Sequence, residues 1–260
     1  MTQKKKQWFE KLTREKRIEL AKSKMIRIVD HFLYLIELHA NNSYVVYSPT
    51  LSSQIPTSFA ASAFNVFQRS MYQIEIVRLC ALWDSVDPEK ENIPTVIALI
   101  DDDTIIEALA EKTRSFWADH VGGTIINPSD DAELAELEQE ALKQSNIQYG
   151  AEQASSAKIQ LREAISDVRA VFGSVELSSL MNVRDKHIAH SLTETHREKR
   201  GPVPPMKTGG ETTLMKRSIP IIEHLYCWIN GIGFSIDDSQ RIDRENAEAL
   251  WTGCKFTVLR

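Results

Sequence analysis

Met25-Ile-Arg-Ile-Val-Asp-His-Phe-Leu-Tyr-Leu-Ile-Glu-Leu-His39 is the stretch whose spacing decides the fold class. Met25, Ile28, Val29, Phe32, Leu35, Ile36 and His39 recur at steps of three and four residues, which lays them along one face of a helix. A strand would alternate apolar and polar residues, and no alternating run in the chain exceeds four or five residues. Reading back from Met25, the basic segment joins the same pattern, so residues from about 8 to 40 form one amphipathic helix, first basic and then apolar.

The helical period continues outward. Asn41 to Ser58 reads as a loop in which Tyr44-Val-Val-Tyr47 makes a short extended piece. Thr57 or Ser58 caps a second helix to about Val86, with Phe64, Phe67, Met71, Ile74, Leu82 and Trp83 on its apolar side. Asp87-Pro88 ends it, Pro94 starts a short helix, and Asp103 caps another from Thr104 to about His120. Gly122-Gly123 to Pro128 is the clearest break. After it Ser129 or Asp130 caps a long helix to about Phe172, with Gly150 as its weak point. Gly173-Ser174 ends that helix and caps the next, Val175 to about Glu198. A loop rich in Pro and Gly precedes two last helices at about 213–230 and 238–254. The expected fold is all-α: a helical bundle with extra short helices, residues 1–260 forming a single domain.

Composition sets limits on the rest. The chain has 260 residues, 42% hydrophobic and 26% charged, with only 10 Gly and 9 Pro, which excludes disordered and collagen-like classes. Cys80, Cys227 and Cys254 are far apart and odd in number, so they form neither a disulfide framework nor a CxxC metal knuckle. No apolar run approaches the roughly 18 to 20 residues of a membrane span, and no apolar signal region follows Lys4-Lys5-Lys6. The expectation is a soluble cytoplasmic protein. Net charge is −5 but uneven: residues 1–27 hold ten Lys/Arg against three Glu, whereas residues 101–140 hold twelve Asp/Glu against two basic residues. Any contact with nucleic acid is therefore local. The basic N-terminal helix reads most simply as a solvated face.

Nucleotide-loop, nucleophile-elbow and HExxH motifs are absent. What stands out is Met181-Asn-Val-Arg-Asp-Lys-His-Ile-Ala-His190. On a helical wheel Leu177, Leu180, Met181, Val183, Ile188 and Leu192 share one arc, with Arg184 near its middle. His187 falls inside the arc, His190 and Asp185 at its edges, and Lys186 alone on the solvated side. A guanidinium cannot be deprotonated, so Arg184 must meet a carboxylate, line a cleft or face a partner. A structural reading pairs it with Asp84 or Glu75 of the second helix. His187, His190 and His196 suggest zinc, but no Cys, Glu or further His stands at ligand spacing nearby. Asp101-Asp102-Asp103 reads as a helix N-terminus rather than a cation site. Arg197, Lys199 and Arg200 follow the motif and suit a passing phosphate backbone.

Arg184-Asp185-Lys-His-Ile-Ala-His190 resembles the Rx4–6H signature of HEPN domains, with a polar residue directly after the arginine as is typical there. The wording of this segment, and a second helix ending in Arg78-Leu-Cys-Ala-Leu-Trp-Asp-Ser85, resemble the AbiU-like HEPN proteins of bacterial abortive-infection systems. The resemblance implies a helical bundle that pairs as a homodimer, two motif helices face to face. It implies a metal-independent endoribonuclease with no cofactor, RNA as substrate and no membrane. An antitoxin or defence-system partner protein belongs to the same picture. Arg184 and His190 then form the catalytic pair, Asp185 supports them, and His187 and Lys186 stand by as supporting residues. The residues suit that chemistry, because RNA supplies its own nucleophile in the 2′-OH. A histidine moves protons at neutral pH, and an arginine fork holds phosphate oxygens. Two other readings stay open: a non-catalytic RNA- or protein-binding helical module, and a structural protein with a buried Arg–Asp network.

Overall fold

A computed structural model describes residues 3–119 and 132–258 of the protein. The predicted break at Gly122–Pro128 and the caps Ser129 and Asp130 lie outside the described residues. All regular structure among the described residues is helical: α1 (Gln3–Glu10), α2 (Arg14–Val45), α3 (Pro49–Ser52), α4 (Phe59–Leu82), α5 (Ile93–Ile100), α6 (Asp103–Ala118), α7 (Ala132–Phe172), α8 (Val175–Val183), α9 (Gly210–Asn230) and α10 (Asp237–Gly253). A π-helical turn (Arg184–Ile188) and a 3₁₀ turn (Glu198–Arg200) lie between α8 and α9. No described helix is long and apolar enough to cross a membrane.

Helix α2 is the axis of the bundle. Its stripe of Met25, Ile28, Phe32 and Leu35 is fully buried, and α4, α5, α9 and α10 pack around it. Burying a side chain of this size stabilises by about 1.5–3 kcal/mol, so this row alone outweighs any single polar contact in the fold. The basic N-terminal segment is two helices rather than one. The chain turns at residues 11–13, and Thr13 restarts it, its hydroxyl accepting from the Lys16 amide. Nor is the basic face wholly solvated: Lys24 is buried and donates to the carbonyls of Pro88 and Lys90 at 2.8 and 2.9 Å.

Tyr44 to Tyr47 is not extended; α2 runs on to Val45, and the Tyr47 amide still bonds back to Asn42. The reason is tertiary. Buried Glu75 of α4 accepts from the Asn42 amide and the Tyr47 hydroxyl and lies 2.7 Å from His39 Nδ1, so a carboxylate in the core holds the end of α2 helical. Glu75 therefore does not meet Arg184.

Caps follow the sequence closely. Ser58 and Ser174 cap α4 and α8, each hydroxyl accepting from the amide three residues on. For α6 the cap is Asp102 rather than Asp103, and the acidic triplet does serve as a helix N-terminus. Its three carboxylates meet Arg169, Arg17 and Arg162 in turn, tying α6 to α7 and α2. Gly150 is a contact rather than a weak point. A Cβ built there would stand 2.6 Å from the Arg114 backbone oxygen, so α6 and α7 approach more closely than any side chain would allow.

Gly150→Ala should therefore lower the unfolding free energy by about 1–3 kcal/mol through overpacking, more than the ~1 kcal/mol that alanine returns in helix propensity. Denaturant unfolding of the two proteins measures the difference. An unchanged midpoint would mean that the helices separate without cost.

Candidate functional site

Arg184 lies where α8 changes its winding. The Ala189 amide bonds to the Arg184 carbonyl at 2.8 Å, an i→i+5 closure that spends one more residue per turn than an α-helix. The predicted continuous helix from Val175 to Glu198 accordingly stops at Val183, and His190 lies beyond the π turn in irregular chain. Side chains after Arg184 lag behind a 100° wheel, which carries His187 out of the apolar arc to an exposed position. Lys186, expected on the solvated side, is three-quarters covered because the chain returns over it: its ammonium meets Glu198 at 2.9 Å.

The arginine is mostly buried, its side chain 18% exposed. Its Nε and Nη2 both donate to Asp185 Oδ1, at 2.8 and 2.6 Å, and Nη1 stands 3.9 Å from Asp84 Oδ2. Asp84 also receives the Lys90 ammonium at 2.8 Å, and Asp185 has Arg197 at 4.0 Å on its other oxygen. The result is an alternating chain of charge: Lys90, Asp84, Arg184, Asp185, Arg197. Burial works against the Arg184 charge, but the hydrogen bond and charge of Asp185, with Asp84 behind, hold the guanidinium protonated even more firmly than usual. Burial likewise opposes the Asp84 carboxylate, and Lys90 with the Ser85 amide more than offsets it, so Asp84 stays ionised below its ordinary range. Cys80 lies buried beneath, its thiol pushed up to about 12 by desolvation and therefore no nucleophile.

Asp84 of the sequence-based pair is thus a partner of Arg184, Glu75 is not, and Asp185 is the closest. His190 is exposed and makes no hydrogen bond or ion pair among the described residues. His187 and His190 do not converge with His196: no three His, Cys, Asp or Glu side chains among the described residues are placed to hold a metal ion. The basic group after the motif divides, Arg197 joining the charge chain while exposed Arg200 ends the 3₁₀ turn.

Two devices that hold this region were not anticipated. Lys24 pins the loop carrying Lys90, and Asn92 donates to the carbonyls of Asp84 and Ser85, so Asp84 is fixed from three sides. The second is a capping box, Thr195-His-Arg-Glu198. The Glu198 amide donates to the Thr195 hydroxyl, and the Thr195 amide to Glu198 Oε2 at 2.8 Å. Asn182 and Lys186 complete it by donating to Glu198 Oε1. This T-x-x-E signal was present in the sequence but fell inside what reads as an unbroken helix.

With that geometry in place, the comparison with known families is decisive: a family model described as AbiU2, of the HEPN class, matches residues 22–250. The chain belongs to the HEPN AbiU2 family. The match covers every helix described here except α1 in whole and the ends of α2 and α10. No curated protein and no solved structure matched the chain. The AbiU2 chain is all-helical in its regular structure among the described residues.

The Glu198 clamp generates a pH prediction. Hydrogen bonds from Lys186, the Thr195 amide and Asn182 lower its carboxyl from 4.5 to about 2. A lowered carboxyl pKa contributes stability above its ordinary value, and that contribution is lost as pH falls through about 2. Carbon-detected NMR should find Glu198 titrating near that value. In Glu198→Gln the Thr195 amide should exchange with solvent about tenfold faster at neutral pH. Equal exchange in both proteins would show that the carboxylate does not hold the segment.

Proposed function

We propose that this AbiU2-family protein is a metal-independent endoribonuclease acting in a phage-defence or toxin–antitoxin setting in the cytoplasm, with RNA as substrate. The observation that carries the reading is the placement of Arg184: a permanently charged fork held on a π turn in a HEPN-class chain, with exposed His190 at the turn's exit. Single π-helical turns are frequent at functional sites.

The chemistry balances with the residues at hand. The substrate's 2′-OH attacks the adjacent phosphorus while a histidine takes its proton. The bond from phosphorus to the 5′-oxygen breaks, and that oxygen receives a proton. The products are a 2′,3′-cyclic phosphate and a 5′-hydroxyl. Arg184 donates to the phosphate oxygens as charge builds on them, and Asp185 orients it. One chain supplies one His190; a homodimer supplies two, one for base and one for acid. The dimer needs more than an apolar arc around Arg184, because Leu177, Leu180 and Met181 are already buried in their own core. The exposed residues of the motif region, His187, His190 and Leu192, are the ones a second copy would cover. His187 and Lys186 act as supporting residues, the latter through Glu198. An antitoxin or other defence-system protein would act on this same face.

One observation favours the non-catalytic module instead. Asp185 Oδ1 already occupies two of the Arg184 donors, so phosphate must compete with a carboxylate in place. Kinetics separates the two readings. With single-stranded RNA in excess EDTA, the AbiU2 protein should leave cyclic or 3′-phosphate ends and spare DNA or RNA lacking the scissile 2′-OH. His190→Ala should lose about 10²–10⁴-fold in rate. Arg184→Ala should lose about 10²–10³-fold, both with unchanged helical content. His187→Ala should lose less than either. Activity that returns only with added magnesium, or a fully active His190→Ala, would overturn the mechanism. RNA binding without cleavage would support the module, and sedimentation as a monomer would remove the paired histidines.

A further inference from the structure

The far end of the bundle from the N-terminus of α9 holds a cavity of about 390 Å³ between α2, α6, α7 and the C-terminal turn of α9. It reaches the size at which pockets begin to enclose small organic ligands, roughly 300–1,000 Å³. Its walls are largely apolar and aromatic: Leu109, Phe116, Trp117, Trp228 and Ile229. Phe116 is 58% exposed at this site, a large ring left partly uncovered.

The charged side chains among the described lining residues have one sign. Lys22 of α2 and Lys112 of α6 both line the cavity, and no carboxylate does among the described residues. Neither ammonium has an ion-pair partner among the described residues. Asn230 at the end of α9 donates to the Lys22 backbone carbonyl at 3.2 Å, tying α9 to α2 beside the cavity. Burial, with Lys112 beside it, depresses the Lys22 amine to about 8. An anion between them would convert repulsion into two charge-assisted hydrogen bonds.

We propose that this cavity is a binding site for a small organic carboxylate with an apolar body, its head between Lys22 and Lys112 and its body against Trp117, Trp228 and Leu109. The two lysines suit an anionic head, and the apolar walls match an aryl or alkyl body. The site lies on elements other than the π turn and stands independently of the ribonuclease reading.

The test uses the full chain with two fluorescent probes of the same ring system, anionic 1-anilinonaphthalene-8-sulfonate and neutral N-phenyl-1-naphthylamine, read by energy transfer from tryptophan. The anionic probe should saturate at one site per chain and bind more tightly than the neutral one. Lys22→Gln and Lys112→Gln should each weaken it by about tenfold while changing the neutral probe by less than about twofold. Lys112 is exposed, so its variant keeps the test independent of folding. Competition with 2-naphthoate and with decanoate distinguishes an aryl from an alkyl body, and displacement by either supports the site. Equal affinity for both probes, insensitivity to both lysine changes, or displacement by neither carboxylate would overturn it.

Discussion

A guanidinium holds its proton at any physiological pH, so a chain that buries one must surround it with negative charge and then fix that charge in place. Arg184 imposes this condition on a large part of the molecule. Asp185 supplies the first carboxylate from the adjacent residue. Asp84 supplies the second from the end of α4, where it must itself be kept ionised against burial, and Lys90 does so. Lys90 belongs to a loop that Lys24 holds from α2 and that Asn92 folds back on itself. A single charge on the motif thus reaches the central helix through three residues, each satisfying a polar group that burial would otherwise leave costly.

The π turn belongs to the same economy of the site. Had α8 continued as an α-helix, His187 would have faced the core and competed with apolar side chains for the space beside Arg184. The extra residue in the turn moves His187 outward and releases His190 from helical geometry altogether. The segment that follows is then folded back by the Thr195–Glu198 capping box onto Asn182 and Lys186, giving a short, pinned return rather than a free loop. His190 is thereby left exposed at the exit of the turn that carries Arg184, and the arrangement is built from local winding plus one carboxylate clamp.

Elsewhere the AbiU2 chain keeps polar groups in its core where they define element ends. Glu75 gathers His39, Asn42 and Tyr47 and so decides where α2 stops. The acidic triplet at the start of α6 does similar work on the surface, distributing its charges to three arginines from two neighbouring helices. Gly150 sets the spacing of the α6–α7 pair by having no side chain at the point of closest approach.

The amino-acid sequence by itself determined the all-α class, because three- and four-residue spacing of Met25, Ile28, Phe32 and Leu35 permits nothing else, and it placed one helix start at Thr57 or Ser58 and another at Ser174, because a capping hydroxyl acts within three residues. It also made Arg184 conspicuous and led to the family, since both rest on short stretches of local wording. The winding after Arg184, the outward turn of His187, the covering of Lys186, the transfer of Glu75 from Arg184 to the α2 terminus and the meeting of Lys22 with Lys112 were decided only by the tertiary structure. Each depends on which distant group arrives opposite a side chain, and helical periodicity carries information about a residue's face but none about what packs against it.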